Sequence, residues 1–105
     1  MNPRQVYSKL NKYLWMNRLP PATITFIAND TIPTLHGITL HEEGLFEKPV
    51  ILLNQNGPWA CTLVHEMLHI AEPNLSHGKI FSHLTRIYWN AAKKKYPLLP
   101  KLGAQ

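Results

Sequence analysis

Residues 63–81 read LVHEMLHIAEPNLSHGKIF, and this stretch is the most informative part of the chain for predicting its fold. It begins inside a segment, residues 59–71, that is apolar nearly all the way round a helical wheel, which predicts a buried helix. Residues 72–74, Glu-Pro-Asn, end that helix because the residue before a proline is pushed out of helical geometry. Ser76 is a suitable N-cap for another helix over residues 76–95. The stretch therefore predicts two consecutive helices separated by a short break.

An N-terminal helix and three strands are predicted before this stretch. Asn2 is a suitable N-cap and Pro3 suits the first helical position, after which apolar residues recur at helical spacing. Residues 23–28, TITFIA, and residues 35–41, LHGITLH, are typical of strands. Residues 49–54, PVILLN, are apolar almost throughout, which is typical of a strand covered on both faces.

The order helix, three strands, helix, helix predicts an α+β domain in which helices pack against a small sheet. We expect this sheet to be three-stranded and mainly antiparallel. With 105 residues, of which 45% are hydrophobic and 16% charged, the chain is typical of one globular domain. We assign residues 1–105 to that single domain and expect residues 97–105 to form an irregular tail.

Charge and cysteine content bear on partners and location. The formal net charge is +5 and the pI is about 9.6. Such a basic surface can support weak association with DNA, but a modest positive charge also keeps a small protein in solution. Cys61 is the one cysteine of these 105 residues, which suits a reducing compartment. Because the sequence has no apolar segment of the length that a signal peptide or membrane span needs, we expect a cytoplasmic protein without membrane association. We also expect a monomer.

His65, Glu66 and His69 form a His-Glu-x-x-His motif inside the predicted buried helix. Residues four apart lie on one face of a helix, so the two imidazoles can reach a single zinc ion. Glu66 is rotated by about 100° from His65 and can take a proton from water activated by the metal. A catalytic zinc site needs a third protein ligand, for which His77 is the best candidate. Gly78 beside it is expected to let the two helices approach closely.

Histidines at this spacing can also be hydrogen-bonded core residues without a metal. Three unpaired polar side chains in a core would each cost roughly 1–3 kcal/mol, and metal coordination removes that cost. His36 and His41 lie in a predicted strand that is placed to flank the site, and Cys61 is one turn before His65 on the same helix face. We expect the strand histidines to be exposed or hydrogen-bonded, Cys61 to be a small buried hydrophobe, and His83 to face solvent.

The residues resemble the SprT-like zinc metallopeptidases, a gluzincin-like group with the zincin fold. The resemblance rests on PVILLN at 49–54, HEMLH at 65–69 and HGKIF at 77–81, the last of which matches the family pattern His-Gly-x-x-Phe. It implies a zincin-like fold, Phe81 packed beneath the site, Glu66 as general base and acid, and one catalytic Zn²⁺ bound by His65, His69 and His77. Many members carry a C-terminal zinc ribbon or other DNA-binding extension, and these 105 residues resemble the minimal catalytic core without it.

We therefore predict a zinc-dependent metallopeptidase that hydrolyses peptide bonds in a protein or peptide substrate. The alternatives are a non-catalytic, zinc-stabilised module that binds protein or nucleic acid, and an enzyme acting on a non-peptide amide. Related zincins pair extended substrates with an edge strand, for which residues 35–39 are the candidate, with Gly37 marking either a close approach or a bulge. Tyr88, Arg86 and His36 are the candidates for stabilising the oxyanion.

Overall fold

The computed structural model describes residues 2–27, 37–40, 48–55 and 57–102. Helix α1 (Pro3–Trp15) is followed by strands β1 (Thr23–Ile27), β2 (Gly37–Leu40) and β3 (Val50–Asn54). Helices α2 (Trp59–Ala71) and α3 (Lys79–Lys95) come next, and a short 3-10 helix spans Leu99–Lys101. The predicted α+β class and the predicted order of helix, three strands, helix and helix are confirmed.

Helix α1 begins as the sequence predicts. The Asn2 side chain accepts a hydrogen bond from the Gln5 amide at 2.9 Å, and the Gln5 side chain accepts one from the Asn2 amide at 3.0 Å. These reciprocal bonds satisfy amide groups that the first turn leaves unpaired. Pro3 occupies the first helical position, and the helix ends where Met16 adopts left-handed backbone angles (φ 53°). Local chemistry at both ends therefore sets the length of α1.

The sheet has the strand order β1-β3-β2, with β3 in the centre. Strand β3 runs parallel to β1 and antiparallel to β2, so the sheet is mixed and not mainly antiparallel as expected. The apolar pattern of a strand specifies which of its faces is buried, but it does not specify the direction of the neighbouring strand. The apolar sequence of β3 does account for its central place, because Ile51 and Leu53 are fully buried.

Helix α2 lies in the middle of the core, as its nearly all-apolar sequence predicts. Leu63 and Met67 are fully buried and belong to the same hydrophobic cluster as Ile51 and Leu53 of the sheet. Full burial of such side chains contributes about 1.5–3 kcal/mol each. Because α2 packs against β2, β3, α1 and α3, the motif that it carries is held from several sides.

The connection from α2 to α3 differs from the prediction. Helix α3 begins at Lys79, with Gly78 at the N-cap position and no side-chain cap, so Ser76 is not its N-cap. A cap contributes only about 1 kcal/mol, which is less than the burial of an aromatic side chain such as Phe81 in the first turn of α3. Because α3 begins at Lys79, His77 lies in the connection between α2 and α3. A Cβ atom added at Gly78 would meet nothing within 4 Å, so close helix packing is not the reason for this glycine.

The segment expected to be an irregular tail contains the 3-10 helix Leu99–Lys101. Leu99 is only 2% exposed and packs into the core, and its helix lies against α2 and α3. Residues 103–105 lie outside the described part of the chain, as do positions 35, 36 and 41 of the predicted second strand. Among the described helices, none combines the length and apolar character needed to cross a bilayer.

Candidate metal centre

Three histidine side chains converge beside the C-terminal half of α2. His65 and His69 lie one helical turn apart on the same face, and His77 reaches them from the connection to α3. The Nε2 atoms are 3.3 Å apart for His65–His69, 3.3 Å for His65–His77 and 2.8 Å for His69–His77. The structure thus brings together the three residues predicted as ligands, close enough to bind one metal ion.

Hydrogen bonds alone do not account for this triangle of nitrogen atoms. Each Nε2 of a neutral imidazole is either a donor or an acceptor, so two of the three must share a role and at least one contact is not a hydrogen bond. Zinc–nitrogen bonds of about 2.0–2.1 Å at tetrahedral angles separate two ligand nitrogens by roughly 3.3 Å. Two of the three distances match that value, and the His69–His77 pair would have to separate by roughly 0.5 Å. The donor set and two of its three spacings are therefore compatible with zinc.

Phe81 forms the floor of the histidine cluster. Its ring centroid lies 4.8 Å from that of His65, 4.4 Å from that of His69 and 5.1 Å from that of His77. The side chain is 1% exposed, because the first turn of α3 places it in the core. A fixed aromatic ring against all three imidazoles limits the directions in which their nitrogen atoms can point.

Burial also favours the neutral form of two of the three histidines. It lowers the pKa of His65, and the neighbouring His77 lowers this pKa further. It likewise lowers the pKa of His69, where the Glu66 carboxylate acts in the opposite direction. A neutral imidazole offers the lone pair that a metal requires. The 4.0 Å contact between His65 Nε2 and Glu66 Oε2 is accordingly not a salt bridge.

Glu66 is a buried carboxylate beside the histidines, with 4% of its surface exposed. Oε1 accepts a 2.7 Å hydrogen bond from the Thr39 hydroxyl, whereas Oε2 lies on the side of His65. Burial raises the pKa of Glu66, while the Thr39 hydrogen bond and the nearby His69 and His77 partly offset that rise. A carboxylate with a raised pKa is a stronger base than one in water.

An open cleft of about 430 Å³ lies over the histidine cluster. One wall is strand β2, which pairs only with β3 among the described strands, so its other edge has no strand partner there. The remaining lining comes from α2 and the connection that follows it. The lining residues are Gly37, Ile38, Thr39, His65, Glu66, His69, Pro73 and His77.

Two weaker candidates from the sequence lie away from the cleft. Cys61 is half-buried and lines neither the cleft nor the histidine cluster. Burial raises the pKa of its thiol, and the nearby Lys93 lowers it. His83 is exposed on α3, as its spacing predicts. The strand histidines His36 and His41 lie outside the described residues.

Two of the three candidates for stabilising the oxyanion, Tyr88 and Arg86, lie away from the cleft, and the third, His36, is outside the described residues. Tyr88 packs against Trp15 with ring centroids 4.9 Å apart, and Arg86 is exposed; neither residue lines the cleft.

The site residue that the sequence analysis did not predict is Thr39. The two-residue period of a strand places Thr39 on the same face as Gly37. The contact of Thr39 with Glu66 depends on how the strand lies along α2, which the sequence does not specify.

Comparison with known proteins finds no family model, no curated protein and no solved structure that matches the chain. Its chemistry must therefore be inferred from the site. Three converging imidazoles, a buried carboxylate beside them and an open cleft are the groups that metal-assisted hydrolysis requires.

Proposed function

We propose that this chain is a zinc-dependent metallopeptidase of the SprT-like, zincin-like kind. His65, His69 and His77 are its zinc ligands, and Glu66 is its general base and acid. The observation that carries this proposal is the triangle of Nε2 atoms, 2.8–3.3 Å apart, with a buried carboxylate on its flank. The resemblance in the sequence supports it, since Phe81 lies beneath the histidines as that resemblance implies.

A catalytic role agrees better with the site than a structural one. Structural zinc sites usually have four protein ligands, whereas catalytic sites have three and leave one position open. The described residues supply three imidazoles, and an open cleft of about 430 Å³ lies over them. Imidazole nitrogen suits zinc as well as copper, iron and nickel, and three histidines with one open position are a known arrangement of catalytic zinc.

The reaction is hydrolysis of a peptide bond without a covalent intermediate on the protein. Zinc bound at this site would polarise a carbonyl oxygen and lower the pKa of water to near 7. Glu66 Oε2, the carboxylate oxygen on the histidine side, takes the proton of the attacking water. The water oxygen bonds to the carbonyl carbon, the carbon–nitrogen bond breaks, and Glu66 returns the proton to the leaving amine nitrogen.

The substrate is an extended protein segment that lies along β2. Among the described strands β2 lies at the edge of the sheet, and it forms a wall of the cleft. Backbone hydrogen bonds to an exposed strand edge hold extended peptides without requiring a particular sequence. Gly37 supports this placement because a Cβ atom there would lie 2.6 Å from Thr62 Cγ2, so the glycine brings the strand close to α2.

Zinc content and cleavage of an unfolded protein, measured together, test the proposal. Wild type and Glu66→Gln should each bind about one zinc per chain, because Glu66 is not a ligand, and only wild type should cleave the substrate. The matched control is Glu72→Gln, which removes an exposed carboxylate at the end of α2 and should leave activity unchanged.

Two outcomes would contradict the proposal in different ways. Wild type that binds zinc and cleaves nothing would favour the non-catalytic, zinc-stabilised module. Full zinc affinity in His77→Ala would remove His77 from the ligand set.

A further inference from the structure

Thr39 connects the sheet to the proposed general base, Glu66, by a hydrogen bond. Its Oγ1 donates a hydrogen bond of 2.7 Å to Glu66 Oε1, across 27 positions of sequence. The backbone oxygen of Glu66 lies 3.4 Å from the same hydroxyl. A hydroxyl has one proton to donate, and a charged acceptor at the shorter distance forms the stronger bond. The carboxylate is therefore the acceptor of the Thr39 proton.

The placement of Thr39 follows from how β2 lies along α2. Gly37 and Thr39 point to the same side of the strand, where Gly37 approaches Thr62 and Thr39 approaches Glu66. Two strand residues advance about 6.6 Å and one helical turn about 5.4 Å, so successive contacts along β2 match successive turns of α2. A side chain at position 37 would force the strand away from the helix. The close approach at Gly37 thus brings the Thr39 hydroxyl within reach of Glu66.

The Thr39 hydrogen bond fixes one oxygen of the Glu66 carboxylate. The terminal torsion of a glutamate side chain is broad, so packing alone defines its carboxylate plane poorly. Among the described residues, Thr39 provides the hydrogen bond to the Glu66 side chain, while His65 Nε2 is 4.0 Å from Oε2. When Oε1 is held, Oε2 is left facing the histidine cluster. Small misplacements of a group that moves a proton can cost about 100-fold in rate.

We propose that Thr39 is a positioning residue that connects the substrate-binding strand to the general base. This inference rests on the proposed function. It adds that β2 has two roles in that function. The strand pairs with the substrate, and it orients the Glu66 carboxylate. Its expected signature is a fall in kcat without a matching change in KM, because Thr39 acts on the carboxylate and its own backbone remains in the strand.

The test compares Thr39→Val, which keeps the side-chain shape and removes the hydroxyl, with Thr39→Ser, which keeps the hydroxyl. Loss of a hydrogen bond to a charged group should lower kcat of the zinc-loaded valine variant by about 10- to 100-fold. KM, and zinc affinity measured by chelator competition, should stay within about twofold. The serine variant should recover most of the lost kcat. Thr25→Val, at an exposed position of β1, is the matched control and should behave as wild type.

Crystal structures of wild type and Thr39→Val add a measurement that does not need activity. The Glu66 carboxylate should rotate away from its wild-type orientation in the variant. An unchanged carboxylate, a valine variant with wild-type kcat, or a serine variant as slow as the valine variant would each overturn the inference. Thr39→Ala gives the same comparison if the valine variant does not fold. Lack of cleavage by wild type would instead defeat the proposed function, and the structures would still decide the role of Thr39.

Discussion

Phe81 links the packing of the core to the chemistry of the site. As a fully buried residue in the first turn of α3, it is fixed by the core, and three imidazole rings lie against it. His65 and His69 are themselves partly buried, which lowers the pKa of each and favours the neutral imidazole that a metal requires. Phe81 thus limits the orientation of the three imidazoles, and the burial of His65 and His69 favours their neutral form.

Tyr7 gives a prediction about alkaline stability. Its hydroxyl donates to the Pro20 carbonyl, and burial raises the pKa of the phenol from 10.0 to about 12. Because the folded state holds this proton more tightly than the unfolded state, the contribution of Tyr7 is complete below pH 10 and is lost as the pH rises to 12. The free energy of unfolding, measured by denaturant titration, should therefore fall more over this range in wild type than in Tyr7→Phe. A constant difference between the two proteins would contradict the assignment.

Helices that form through interactions between residues close in sequence were predictable. Features that depend on residues far apart in sequence were not. The cap at Asn2 and the apolar wheel of α2 specify their helices, because the interactions that form them are close in sequence. The parallel pairing of β1 with β3 was missed, since strand direction depends on the whole sheet. The late start of α3 was missed because a possible cap at Ser76 is weaker than the packing around Phe81. The contact between Thr39 and Glu66 was missed because, like the strand direction, it depends on how distant segments pack together.

The two glycines near the site should respond differently to alanine. A Cβ atom at Gly37 would lie 2.6 Å from Thr62 Cγ2 and 3.1 Å from the Leu52 carbonyl oxygen, so Gly37→Ala forces β2 away from α2. Overpacking of this kind should cost about 1–3 kcal/mol. At Gly78 a Cβ atom meets nothing within 4 Å and the backbone is extended, so Gly78→Ala should change stability by less than about 0.5 kcal/mol. Denaturant midpoints of both variants provide the measurement, and equal losses would show that packing does not distinguish the two positions.

The candidate centre joins segments that are far apart in the chain. Helix α2 provides two histidines and the carboxylate, the connection to α3 provides the third histidine, and β2 provides the hydroxyl that holds the carboxylate. A domain of about 100 residues buries a smaller fraction of its surface than a larger domain does, and its net stability is only about 5–15 kcal/mol. An ion that ties the connection to α2 should therefore contribute noticeably to folding.

Removal of zinc should lower the thermal midpoint. A ligand that binds only the folded state at 100 times its Kd adds about 2.7 kcal/mol, which for a domain of this size corresponds to roughly 10–20 °C. Differential scanning fluorimetry with and without a chelator measures the shift in wild type. Glu66→Gln should keep the shift because its three ligands remain, and His83→Ala should keep it because His83 is exposed away from the cleft. His77→Ala should lose most of it, since two imidazoles on α2 no longer tie the connection to the helix. An equal midpoint in wild type with and without chelator would mean that the three histidines converge without a metal that stabilises the fold.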